Sequence, residues 1–157
     1  MNVYGAPVAA GTATVLPGTD NTLLVVGSST APQYFLIADD NTRPLVGGSA
    51  NLRVVNGVNG ETSGLALNYT FIQLVSSVAF GSASPPQTVT TGSNTNILTV
   101  NNASYCGPDP AASSSCNLSG VQLVSQGIYT MFVLGNSRAT GGSLPTPYPY
   151  GILVKDH

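Results

Sequence analysis

The side chains that could do conventional chemistry in this chain of 157 residues are few: one histidine, two cysteines, six carboxylates and four bases. The histidine is the terminal His157. A serine nucleophile needs a base held against it, and no Gly-x-Ser-x-Gly elbow occurs. The carboxylates are scattered except for Asp39-Asp40. Neighbours on a strand point to opposite faces, so that pair cannot act as an acid–base dyad without a bend. Asp40 reads as a turn-capping or solubilising acid, with a weak contribution to calcium binding as the alternative. Neither a phosphate loop nor a dinucleotide fingerprint is present. The expectation is no enzyme, no catalytic residue, no metal site and no cofactor.

Cys106 and Cys116 bracket a short loop rich in Pro, Ala and Ser. A metal site would need further Cys or His ligands nearby, and the sequence offers none. A disulfide across the loop is expected, constraining the unfolded chain by roughly 2–3 kcal/mol. It implies an oxidising compartment, the cell exterior or the periplasm; the alternative is two reduced thiols in a surface loop. Asn56-Gly57-Val58-Asn59-Gly60 reads as a turn, because Asn-Gly is a strong hairpin signal. The triplets at Asn68, Asn102 and Asn117 fit the N-glycosylation pattern, at a frequency that chance explains in so Asn-, Ser- and Thr-rich a chain.

Charged residues make up 6% of the sequence, against about 25% in an ordinary soluble protein. Disordered chains lack aliphatic and β-branched residues, and here those abound. Val, Thr, Ser, Gly, Asn and Pro are the vocabulary of short strands joined by tight turns. A net charge of −2 gives weak self-repulsion, which suits a protein that packs against other subunits. Arg43, Arg53, Arg138 and Lys155 are too few to track a phosphate backbone, so no nucleic-acid partner is expected. No apolar run is long enough for a membrane span. Met1-Asn2-Val3-Tyr4 lacks the basic start and apolar core of a signal peptide; if the protein is exported, that segment has been removed or left out.

The elements that must position these residues are strands, since helical periodicity is missing throughout. Two stretches are copies of one another: Thr22-Leu23-Leu24-Val25-Val26-Gly27-Ser28 and Thr130-Met131-Phe132-Val133-Leu134-Gly135-Asn136. Each is followed by a second apolar run, Tyr34 to Asp40 and Tyr150 to Asp156. The offset is 108 residues from Thr22 to Thr130 and 116 from Tyr34 to Tyr150, about the length of one small all-β domain. At these offsets Asp40 falls opposite Asp156. Strands are predicted near 2–8, 12–17, 22–28 and 33–39, then near 50–56, 68–75, 77–81, 87–91, 95–101, 120–125, 128–135 and 150–155. Leu52 and Val54 alternate as on a half-buried strand. Leu23 to Val26 and Met131 to Leu134 are continuously apolar, as in a central strand covered on both sides. Pro85-Pro86 and the Pro145–Pro149 stretch mark loops or edges.

The predicted fold is all-β: an immunoglobulin-like antiparallel β-sandwich over 48–157, preceded by the back half of another repeat over 1–47. Leu52-Arg53-Val54-Val55-Asn56, Val78-Ala79-Phe80-Gly81 and Gly127-Ile128-Tyr129-Thr130 onward to Gly135 resemble the landmarks of the bacterial "domain of unknown function 4397" family. The resemblance covers about 50–157, and 12–41 is similar only to the end of such a repeat. It implies a secreted or envelope-associated protein of tandem immunoglobulin-like repeats, with no established catalytic residues to carry over. Pro85-Pro86 stand where the family commonly has an aromatic, and the cysteine loop and the Pro-rich loop look like insertions.

Half a sandwich leaves an apolar face and open edges, which invite pairing with another chain. The expected function is an extracellular structural subunit, self-assembling by strand complementation into a filament or surface layer. The strands expected to carry assembly hold Val3, Val15, Leu23, Val25, Phe35 and Ile37. The alternative is a cell-surface adhesion module gripping a glycan or protein ligand through Tyr105, Tyr148 and Tyr150.

Overall fold

The computed structural model describes residues 2–3, 6–7, 14–15, 17–28, 31–60, 64–70, 72–92, 98–101, 115–118, 122–137 and 149–156. These residues form strands and turns, with no helix among them. The strands are β1 (Asn2–Val3), β2 (Ala6–Pro7), β3 (Asn21–Ser28), β4 (Ala31–Ala38), β5 (Ser49–Asn59) and β6 (Leu65–Tyr69). They continue with β7 (Ile72–Val78), β8 (Gln87–Thr90), β9 (Leu98–Asn101), β10 (Ser115–Leu118), β11 (Ile128–Asn136) and β12 (Tyr150–Lys155). Two four-stranded sheets have the orders β10-β9-β6-β7 and β12-β11-β5-β8, and the hairpins β1-β2 and β3-β4 each stand as two-stranded sheets. Among the described residues all pairings are antiparallel but one: β5 and β11 run parallel, from Ile128 beside Asn51 to Asn136 beside Asn59. The purely antiparallel arrangement expected from the sequence is corrected at that central pair.

One core cluster draws on both four-stranded sheets. Leu52, Val54, Met131 and Val133 come from one sheet, Leu65 and Leu67 from the other, and all six are fully buried. Tyr69 joins them while its hydroxyl donates to the carbonyl of Thr90 at 2.8 Å, and burial pushes its phenol pKa up. Alternation along β5 sends Leu52 and Val54 into this core and Arg53 and Val55 to the opposite face. That second face is buried too. Val55 meets Leu24 and Ile37, with Val26, Phe35, Phe132 and Leu134 packed around them. The β3–β4 hairpin of the first repeat therefore lies on the outer face of the β5–β11 pair. β5 is a strand covered on both sides, not the half-buried strand its Leu52/Val54 alternation predicts.

Several local expectations change for identifiable reasons. Asn56-Gly57-Val58 is strand interior rather than a turn. Asn56 is fully buried, donating from Nδ2 to the Val78 carbonyl at 2.9 Å and accepting the Val58 amide at 3.0 Å. The side chain thus fastens β5 to the end of β7 while its oxygen satisfies an amide two residues on within the same strand. Gly57 lets neighbouring side chains close in: a Cβ there would lie 2.6 Å from a Leu134 methyl and 3.1 Å from one of Val26, which would have to move aside. The strand expected over 68–75 is a hairpin joint: Tyr69 pairs with Ile72, and Thr70 takes a φ of 48°. A β-branched residue rarely adopts that region, so no turn signal marks the place. Of the strands expected at 12–17 and 120–125, the described residues 14, 15, 17 and 122–125 are irregular or in turns, with Gly18 at φ 78° and Gln126 at φ 60° beside them. The stretch expected at 77–81 ends as a strand at Val78 and turns back along β5, with Ser84 donating to the Val54 carbonyl and Gly81 to that of Asn56, each at 2.8 Å.

Gly81 sits at that turn with φ 74°, and a Cβ on it would run into the ring of Phe35. Phe35 in turn meets Phe80 edge to face, with ring centroids 5.3 Å apart. Gly81→Ala is expected to cost about 1–3 kcal/mol, through left-handed backbone strain and overpacking together. Urea unfolding checks this, and a change within about 0.5 kcal/mol would place the Phe35 contact outside the folded core.

Candidate functional site

The outer face of β5 carries a polar cluster centred on Arg53, which is 5% exposed. Its Nε donates to Thr130 Oγ1 at 2.9 Å and its Nη1 to the Ala38 carbonyl at 2.9 Å, while Nη2 pairs with the Asp39 carboxylate. Thr130 accepts from Arg53 and donates its own hydroxyl hydrogen bond to Asp156 Oδ2 at 2.6 Å. Thr22 donates to both oxygens of Asp39, at 3.1 and 3.0 Å. A buried guanidinium is tolerable when it is paired and its donors are used, as here. Asp40, the next residue, is exposed; Thr42, through its hydroxyl and its backbone N–H, holds the Asp40 carboxyl below the usual carboxylate range.

This geometry makes the internal repeat exact. Thr22 pairs with Ile37 as Thr130 pairs with Val154, and Leu24 with Phe35 as Phe132 with Ile152. The amide of Asp39 donates to the Asp20 carbonyl at 2.9 Å, as that of Asp156 does to Ile128 at 2.8 Å. The counterpart of Asp156 is therefore Asp39, not Asp40, and the second strands align with an offset of 117, Ile37 on Val154. The turn at Gly18 matches the turn at Gln126 on the same grounds. The two copies meet through equivalent faces: Leu24 and Val26 of β3 lie in one cluster with Phe132 and Leu134 of β11. Arg53 stitches one Thr–Asp pair to the other.

The opposite face of the β3–β4 hairpin is where the copies differ. Leu123 and Met131, 4% and 0% exposed, belong to the core shared by the two four-stranded sheets; their counterparts Val15 and Leu23 are each 56% exposed. Val133 is fully buried and Leu153 packs on the same core, whereas Val25 is half-buried and Leu36 exposed. Tyr34 adds to this outward face. The continuous apolar run Leu23 to Val26 is thus covered on one side only, a correction to the central strand its sequence predicts. The hairpin also lacks a neighbour. β11 lies between β12 and β5, while β3 has β4 alone among the described residues.

The other anticipated residues fall into distinct places. Phe35 and Ile37 point into the packed interface with β5 rather than outward. Val3 stands in β1 opposite Ala6. Tyr150 is on β12 opposite Leu134, in a strand rather than a loop, and is 43% exposed beside Ile152 and Val154. Tyr105 and Tyr148 lie outside the described residues. Among the described residues there is no disulfide: Cys116 stands in β10 opposite Val100, and Cys106, its expected partner, lies outside them. Among the described residues no group of three His, Cys, Asp or Glu side chains could hold a metal ion. Sequence reasoning passed over Arg53 and Asp39 as a pair. The repeat could have flagged them, since Thr22 and Thr130 recur with an aspartate at the end of the following strand.

No protein-family model matches this chain, and no curated protein does. What can be said of its role rests on the repeat and its unequal burial.

Proposed function

We propose that this protein is an extracellular structural subunit that joins its neighbours by strand complementation, giving a filament or surface layer. The observation that carries the reading is the exposure of Val15, Leu23 and Leu36, whose counterparts Leu123, Met131 and Leu153 line a core. A face patterned for burial and left open marks an interaction surface, and the open edge of β3 beside it suits β-augmentation. In this reading the complete repeat is an immunoglobulin-like sandwich of the tandem-repeat family named above. The charge-poor, hydroxyl-rich surface fits close packing of subunits.

The test is negative-stain electron microscopy of the protein recovered from the extracellular fraction of its source, beside its mass in solution. Regular fibres or sheets are expected from the natural chain, and none from Leu23→Lys/Leu36→Lys. Both positions are solvent-facing, so the variant keeps its strand circular dichroism. Discrete particles from the natural chain, or unchanged fibres from the variant, would refute the reading.

A further inference from the structure

Resting on that assembly reading, we infer which strand completes the β3–β4 hairpin and in what register: a strand of the β5 kind, parallel to β3, with an arginine opposite Thr22 and supplied by a neighbouring subunit. Three independent features converge on it.

The first is the edge. β11 receives β5 in parallel, with Thr130 beside Arg53, Phe132 beside Val55 and Asn136 beside Asn59. β3 repeats the sequence and the antiparallel pairing of β11, so its open edge is shaped for the same neighbour. The register transfers directly: arginine beside Thr22, valine beside Leu24, asparagine beside Ser28. The face is the second feature. A β5-type strand brings with it the sheet that would cover Leu23 and Leu36 as Leu65 and Leu67 cover their counterparts in the core.

The third feature lies on the other hairpin. Because like faces of the two hairpins meet, an approximate twofold axis relates them, and what β5 does to β4 a second β5-type strand would do to β12. β5 buries Ile37 against Val55 and takes Asp39 through Arg53. The equivalents on β12, Ile152 and Val154, are 44% and 38% exposed. Asp156 has its Thr130 hydrogen bond but no cationic partner among the described residues. The incoming arginine would therefore donate to Thr22 Oγ1 and pair with Asp156, as Arg53 does with Thr130 and Asp39. β5 itself is engaged by β11 and β8, so the completing strand is a second one of its kind, brought by the neighbour.

The probe is a fluorescent synthetic peptide with the β5 sequence Ser49–Asn59, titrated by anisotropy into the full chain. Saturable one-to-one binding is expected, absent for a scrambled peptide. Arg53→Met in the peptide weakens binding about tenfold or more, the range of a charge-assisted hydrogen bond. Asp156→Asn in the protein weakens the natural peptide to a similar degree and leaves the Arg53→Met peptide unchanged, since both remove the same contact. The peptide variants cannot unfold the protein, so they test the contact even where Asp156→Asn disturbs folding. Equal binding of the scrambled peptide would overturn the inference, as would indifference to the arginine. A concentration-dependent dimer of the full chain, abolished by Leu23→Lys, would also overturn it by showing hairpin faces sealing one another. Fibres that need Leu23 without peptide binding would remove the strand assignment alone. Peptide binding without fibres would remove the assembly reading alone.

Discussion

Arg53→Met is expected to destabilise the chain by about 3–5 kcal/mol, the range for breaking a buried ion pair from one side. Methionine fills much of the arginine stem's volume, so the loss comes from polar groups. The Asp39 carboxylate, 16% exposed, would keep only the Thr22 hydroxyl, and the Ala38 carbonyl would lose its donor. The double variant Arg53→Met/Asp39→Asn recovers part of the loss because no unpaired charge stays buried. Guanidinium unfolding measures both. Amide exchange locates the effect, with Leu24 and Phe35 losing protection while Met131 keeps it. A loss under about 1 kcal/mol would put the pair among weak surface ion pairs and the hairpin outside the cooperative fold.

Met131→Ala should cost about 2–5 kcal/mol, and Leu23→Ala at the equivalent position should change the isolated chain by no more than about 0.5 kcal/mol. The residues share a place in the repeat and a cross-strand partner, Leu153 for one and Leu36 for the other. They differ in what stands opposite. Met131 packs against the second sheet and Leu23 is 56% exposed. Thermal unfolding of the two variants side by side gives the comparison. Equal costs would mean that the outward face of the hairpin is already covered within the chain. In the assembled state the asymmetry narrows, because burial at Leu23 then resembles burial at Met131.

The sequence made the repeat and the strand-rich class plain, because glycine-fenced β-branched runs have no other common reading. It misjudged the alignment of the second strands by one residue. The adjacent aspartates Asp39 and Asp40 offered two partners for Asp156, and only the register of Ile37 against Thr22 chooses between them. Periodicity also failed for β5, where an arginine and an asparagine sit amid valines. A polar residue signals solvent by default; here Arg53 and Asn56 are buried because each uses its hydrogen-bonding groups. The turn at Thr70 left little trace, since Tyr69, Thr70, Phe71 and Ile72 all favour a strand. Nor could composition show that the first hairpin rests on the outside of the next repeat. That contact depends on two equivalent faces meeting, which no local pattern encodes.

The parallel pairing of β5 with β11 has a kinetic consequence. During folding β5 meets two strands of nearly the same pattern, and the nearer in sequence is β3, not β11. Loop closure favours the nearer one, although by less than about 1 kcal/mol, since the entropic cost grows only logarithmically with loop length. The early encounter is therefore as apt to place β5 beside the first hairpin as beside the second. Reaching the native arrangement from there requires the hairpins to trade places on a single strand, a search of the kind that slows proteins built on distant pairings. A chain emerging from its N-terminus makes the wrong partner first.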